Sequence, residues 1–167
     1  MKVEKFRYLA GVVAAHAERR LTGRTRLQKT LKLLQRVGFP TDYNFVLFFY
    51  GPYSEGIKSD LGLLEVLGLV DEKQESSRDG TPYYVISANE QADLGDEIKG
   101  FLPQIKLMED AELVPLELAA TYDSFRETGS DHEDALARLR RKKGPKCTED
   151  NLKKSFQLLK ELNLPVS

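Results

Sequence analysis

A chain of 167 residues, 41% hydrophobic and 31% charged, is long enough for one compact domain with a sizeable core. Its amphipathic start has no signal-peptide core, no run nears the roughly 18 apolar residues of a membrane span, and the chain reads as cytoplasmic. The lone Cys147 excludes an internal disulfide and a thiolate zinc cluster, and the net charge of −1 conceals balances of +8 over residues 1–41, −15 over 42–135 and +6 over 136–167. Either basic and acidic faces stand apart, or the basic ends fold over the acidic middle and neutralise it.

Over residues 3–20, Phe6, Leu9, Ala10, Val13 and Ala17 recur at helical spacing and predict a first helix stopped by Gly23. Thr25 and Gln28 stand as a T-x-x-Q capping box for a second helix, which buries Leu27, Leu31 and Leu34 and ends near Val37. FVLFFY (45–50) is an apolar run too short for a helix and predicts a buried strand. Gly51 and Pro52 break it, and Ser54 is placed to cap a third helix with Glu55 in its first turn. Ile57, Leu61, Leu64 and Leu67 form that helix's inward stripe, closed by Gly68. Two strands follow at 69–73 and 82–87, with Asp79-Gly80 as the turn pair of a hairpin wing.

Beyond Ala88 the pattern is helical. A polar helix is expected over 89–102, ended by Pro103, and another over 116–126 with Leu118, Tyr122 and Phe125 on one face. Ser130 and Glu133 make a second capping box before a helix carrying Ala135, Leu136 and Leu139, which Gly144-Pro145 stops. Thr148 caps a last helix with Leu152, Phe156, Leu159 and Leu162 inward. The expected class is α+β, mostly helical: a winged-helix-like N-terminal half (1–88) with a C-terminal helical extension (89–167) packed on it as one compact domain.

The run Arg24-Thr25-Arg26-Leu27-Gln28-Lys29, followed by FFYGPYS (48–54) and an acidic, leucine-bearing helix, resembles the YwgA-type proteins. Over about residues 24–70 it is also similar to the Panacea (SocA-like) antitoxin domain. Leu118-Ala119-Ala120-Thr121, and Lys143-Gly144-Pro145-Lys146 before Thr148, extend the YwgA-like resemblance over most of the chain. The resemblance implies a winged-helix-like, non-enzymatic domain. From the Panacea group it further implies recognition of a protein partner, often a toxin, sometimes with delivery to a protease. Fold kinship alone does not fix function.

Removing the inward stripe leaves Glu55, Lys58, Ser59, Asp60, Gly62 and Glu65 on the outer face of the third helix. A helix that reads the major groove needs phosphate-neutralising and base-reading cations or amides, so this acidic face suits a basic protein partner or plain solvent. Tyr50-Gly51-Pro52-Tyr53 is an elbow whose rings either anchor a partner or pack over the helix start. The expected partner-binding residues are Tyr50, Tyr53, Glu55 and Lys58. A DNA-contacting alternative would use Arg24, Arg26, Lys29 and Arg36 of the second helix, Arg78 at the wing tip, and Arg141 and Lys142 near a later helix end. Its competing reading is an ordinary cationic solvent face, with the cluster at 138–143 favoured by the helix dipole. His16 and His132 lack metal-ligand spacing, Cys147 has Lys146 but no histidine beside it, and no glycine-rich phosphate loop is present. No enzyme activity, metal or cofactor is expected. The leading expectation is a protein-interaction module, antitoxin-like or an adaptor; the alternative is a winged-helix DNA-binding regulator.

Overall fold

A computed structural model describes residues 2–167, with side chains from Phe6 onward. Helix α1 (Lys2–Ala14) ends earlier than its periodicity predicts. A 3₁₀ turn at Ala17–Arg19 follows, with Glu18 and Arg19 at φ of 57° and 58°, and the chain then extends as β1 (Arg20–Thr22). Strand pairing overrides the helical pattern here, because Leu21 is buried opposite Ile86 of the later strand β5 (Pro82–Ala88). Gly23, at φ 96°, turns the chain directly into α2 (Arg24–Arg36). Thr25 therefore lies inside the helix, and the expected capping box with Gln28 does not form.

After α2 come β2 (Val46–Phe48) and β3 (Gly51–Tyr53), an antiparallel pair joined by Phe49 and Tyr50. The expected break at Gly51-Pro52 is thus a strand. Helix α3 (Glu55–Val66) follows, with Ser54 at its N-cap position but making no side-chain capping bond. Ile57, Leu61 and Leu64 are buried as expected, whereas Leu67 is exposed. The two strands expected at 69–73 and 82–87 form and run slightly longer: β4 (Val70–Ser76) pairs with β5, turning through Gly80 at φ 85°. The resulting sheet has the antiparallel order β1-β5-β4.

The remainder is helical: α4 (Gly95–Lys99), α5 (Leu102–Asp110), α6 (Leu113–Glu127), α7 (His132–Lys143) and α8 (Glu149–Glu161). Of the polar helix expected over 89–102 only the short α4 exists, and Pro103 opens α5 rather than ending a helix. Proline suits a first turn because its missing N–H would have no partner there. Asp131, not Ser130, caps α7, accepting Asp134 N–H at 2.8 Å. Thr148 caps α8 as expected, accepting Asn151 N–H at 3.1 Å.

The protein is mostly helical α+β. One hydrophobic cluster draws on both halves, from Leu9, Leu31 and Ile57 to Tyr122, Leu139 and Leu159. At its centre lie α2, buried continuously from Leu27 to Leu34, and α6, buried from Pro115 to Phe125. Among the described residues no helix is long and apolar enough to cross a membrane.

Candidate functional site

The site is built on α2. Gln28 and Gln35, seven residues apart, lie two turns from one another on the same face, about 10 Å along the axis. Gln35 grips the backbone of Tyr43 from both sides: its Oε1 accepts Tyr43 N–H at 2.7 Å and its Nε2 donates to Tyr43 C=O at 3.1 Å. Gln28 grips Ser54 likewise, accepting its N–H at 2.8 Å and donating to its C=O at 3.0 Å. The segment between these two clamps contains the β2–β3 hairpin. Lys29 adds a third hold, donating to Pro52 C=O at 2.7 Å, and Lys143 of α7 reaches Phe49 C=O at 3.3 Å.

Held this way, β3 is inward and β2 outward. Gly51 and Pro52 are buried, and Gly51 sits at φ 92° where an added Cβ would collide with Thr121 Oγ1 of α6. Opposite them, Val46, Leu47 and Phe48 are 51%, 43% and 51% exposed, and Phe49 and Tyr50 at the tip reach 84% and 62%. The buried strand expected over 45–50 is therefore corrected, since only Phe45 packs against the core. A two-stranded ribbon has two faces, and α2 and α6 cover one side of β3, which leaves β2 and the tip without a lid. Phe48 makes an edge contact with Phe49 and a tilted contact with Tyr53, each at 5.6 Å between ring centres, which stiffens the display.

Beneath the hairpin lies an unusual ionic interior. Lys29 and Lys32 are 2% and 4% exposed, although both lie broadly opposite the Leu27, Leu31 and Leu34 stripe that helical spacing turns inward. Buried Glu117 of α6 is 3.4 Å from Lys143 Nζ and 2.9 Å from Lys146 Nζ. Burial depresses the Lys29 ammonium to a pKa of about 8; Glu117 opposes that shift, and Lys143, Lys142 and Lys146 reinforce it. Burial also pulls Lys143 down. Further along α2, Arg36 makes a two-pronged pair with fully buried Asp123, at 2.7 and 3.2 Å, and is held above its usual pKa by that hydrogen bond. Lys32 pairs with Glu127 at 2.5 Å. These contacts, with Arg24–Glu72, Arg20–Glu75 and Lys154–Glu112, join the basic ends of the chain to its acidic middle.

Three of the four expected partner-binding residues converge. Tyr50, Tyr53 and Glu55 line a cavity of about 280 Å³ together with Phe48, Phe49 and Arg24, while Lys58 is exposed on α3 outside it. Two carboxylates on the outer side of α3 are engaged within the fold. Asp60 accepts the Tyr43 hydroxyl at 2.7 Å, Glu65 accepts Glu72 N–H at 3.2 Å, and Leu63, Val66 and Leu67 are exposed beside them. The cations expected to face DNA do not share a free surface. Arg24 binds Glu72 and stacks over Tyr84, Arg26 donates to Met108 C=O at 2.7 Å, and Lys29 and Arg36 are engaged as described. Arg78, in the turn between β4 and β5, and Arg141 and Lys142, on α7, are exposed.

Neither histidine is placed as a ligand. His16 is buried, bonds Val12 C=O at 2.7 Å and is held below its usual pKa by burial, and His132 meets the Tyr122 hydroxyl at 2.7 Å. The Cys147 thiol is pushed up by burial, against the nearby cations Arg140 and Lys143. Among the described residues no group of three or more His, Cys, Asp or Glu could hold a metal ion. No protein-family model matches this chain, and no curated protein matches it. The residues that sequence reasoning missed are Val46–Phe49, Glu117 and Asp123. The last two had a signal, being acids set inside the otherwise apolar run of α6, where an ionised side chain needs a partner.

Proposed function

We propose that this chain is a non-enzymatic protein-interaction module, an antitoxin-like or adaptor component of a toxin–antitoxin or defence system, acting in the cytoplasm on a winged-helix-like scaffold. The observation that carries this reading is the apolar display from Val46 to Tyr50, exposed along its length yet clamped at both ends by Gln28 and Gln35. A contiguous exposed aromatic and aliphatic patch is costly in water and marks an interaction surface. Rigid clamping removes the ordering entropy that a flexible loop would lose on binding, so more of the contact energy appears as affinity. Aromatic anchors flanked by polar groups are the usual composition of a binding hot spot. Docking there would occlude or present the partner.

The order of elements supports the winged-helix part of the reading: helix, strand, helix, the inserted β2–β3 pair, helix, and a hairpin whose far strand pairs back with the first strand. A DNA-contacting role draws less support, because backbone binding requires free cations. Arg26, Lys29 and Arg36 already spend theirs on Met108, Pro52 and Asp123.

The test is co-purification from the native host. The wild-type chain should retain a protein partner that the folded double variant Phe49→Ser/Tyr50→Ser loses. Equal recovery of that partner by the variant would overturn the reading, as would recovery of nucleic acid alone.

A further inference from the structure

We infer that the open edge of β2 receives an added strand: an extended segment of a different protein, apolar at alternate positions and carrying acidic side chains. This rests on the interaction reading and specifies its mode. The hairpin register decides which backbone groups are free. Its two-residue loop closes on the pair Phe48–Gly51, and bonded and non-bonded pairs alternate along an antiparallel ladder. Val46–Tyr53 is then bonded, and Leu47 faces Pro52 in a non-bonded pair. Proline has no N–H to offer, so it fits that position. The free groups of such a pair point away from the ribbon on both sides. On the β3 side Pro52 C=O meets the Lys29 ammonium at 2.7 Å, and that edge is closed. On the β2 side the N–H and C=O of Leu47 have no hydrogen-bond partner among the described residues.

An apolar edge with unpaired backbone groups invites pairing, and natural folds shield such edges with charge, proline or a covering loop. None of these lies within β2, whose residues are Val, Leu and Phe. Beside it runs a groove of about 500 Å³, lined in part by Phe45, Val46, Leu47, Phe125 and Arg138. An added strand would drop alternate side chains toward that groove and leave the others outward.

Charge selects the occupant. Arg138 lies in the groove wall on α7, and Arg141 and Lys142, three and four residues on, share its face of the helix. Both are exposed and without an ion pair among the described residues; Arg138 donates to Ser130 Oγ at 3.1 Å and lies over the Phe125 ring but pairs with no carboxylate, and the groove's own acid, Glu127, is held by Lys32. A second copy of this chain pairing β2 with β2 about a two-fold axis would bring two such cationic shoulders together. A foreign strand bearing carboxylates would be steered toward them.

The probe is the peptide acetyl-Asp-Thr-Val-Thr-Val-Thr-Asp-amide, titrated into the isotopically labelled protein and followed by amide shifts and hydrogen exchange. Saturable binding is expected, with the Leu47 amide becoming at least about tenfold more protected. N-methylation of alternate peptide amides should weaken binding about tenfold or more, as should lysine in place of both aspartates. Leu47→Pro removes the outward N–H together with the leucine side chain and fixes φ, so persisting protection of the Phe48, Gly51 and Tyr53 amides is the check that the hairpin survives while peptide affinity falls about tenfold; Leu47→Ala, which loses the side chain alone, should fall much less. No saturable binding at about 1 mM peptide would overturn the inference. Undiminished binding by the N-methylated peptide or by Leu47→Pro would do the same, and a Leu47-dependent homodimer would show the occupant to be a second copy. If Leu47→Pro keeps the native partner that Phe49→Ser/Tyr50→Ser loses, the interaction reading stands and strand addition falls.

Discussion

Helix α2 and the β2–β3 hairpin lie against each other and divide polar and apolar character in opposite senses. On α2, Gln28, Lys29 and Lys32 are buried and every charged or amide head has a named partner. On the hairpin, five consecutive apolar or aromatic residues face water. The two inversions explain one another. Buried lysines and glutamines are costly unless satisfied; Glu127 of α6 satisfies Lys32, and backbone atoms of the hairpin and its flanks satisfy Gln28, Lys29 and Gln35. The interior polar groups therefore hold the exterior apolar ones in place. Stability should reside on the helix side of this pairing and recognition on the hairpin side.

The largest expected effect comes from breaking the helix side. Asp123→Ala leaves Arg36 with only the more distant Glu127, 3.8 Å away, and should cost about 3–5 kcal/mol in urea unfolding. Replacing the pair together, Asp123→Leu with Arg36→Met, should recover much of that loss, because the isolated charge and not the absent contact carries most of the cost. A cost below about 1 kcal/mol for Asp123→Ala would mean that the ionic interior is incidental, and the contrast with the hairpin would collapse.

A smaller effect follows from Lys29, whose pKa falls from 10.5 unfolded to about 8 folded. Between those values the unfolded chain binds more protons than the folded one, so stability rises with pH across that window. Below about pH 8 both states are charged and the fold carries the full burial cost. The gain from pH 8 to 10.5 should be roughly 1–3 kcal/mol, read as a rise in urea midpoint. Lys29→Met should flatten that segment of the profile, and a wild-type profile that falls there would contradict a depressed Lys29. The groups acting on it are Glu117 from α6, Lys143 and Lys142 from α7, and Lys146 just beyond.

The leucine stripes of α2, α3 and α8 were legible in the sequence because each faces one core at a fixed period. The same rule hid the ionic interior. Periodicity assigns Lys29 and Lys32 to water, and the acid that neutralises Arg36 lies 87 residues further along the chain. Only a partner so distant makes these polar positions interior, and no local pattern reports it. The hairpin was misread for the converse reason. FVLFFY has the composition of a buried strand, but Pro52 and Gly51 take the inward places across the ribbon and leave β2 outside. The elbow expected at Tyr50–Tyr53 is displaced: the chain reverses at Phe49–Tyr50, and Gly51–Tyr53 runs as strand β3. That β2 is exposed along with the tip depends on a register visible only in three dimensions.

The smallest expected effect is also the sharpest test of the division. Phe49 and Tyr50 at the tip are the two most exposed members of the display, and neither belongs to the core cluster. Surface substitutions away from caps, strained residues and buried networks change stability by no more than about 0.5 kcal/mol. Phe49→Ser/Tyr50→Ser should therefore leave the urea midpoint nearly unchanged, although the Lys146 ammonium 5.5 Å from the Tyr50 ring loses a weak attraction. The Lys143 bond to Phe49 C=O uses the backbone and survives the change of side chain. A loss of 2 kcal/mol or so would show that the tip is packed in solution, which would remove the free apolar surface on which the binding reading rests. An unchanged midpoint with a lost partner would separate recognition from stability at the level of two side chains.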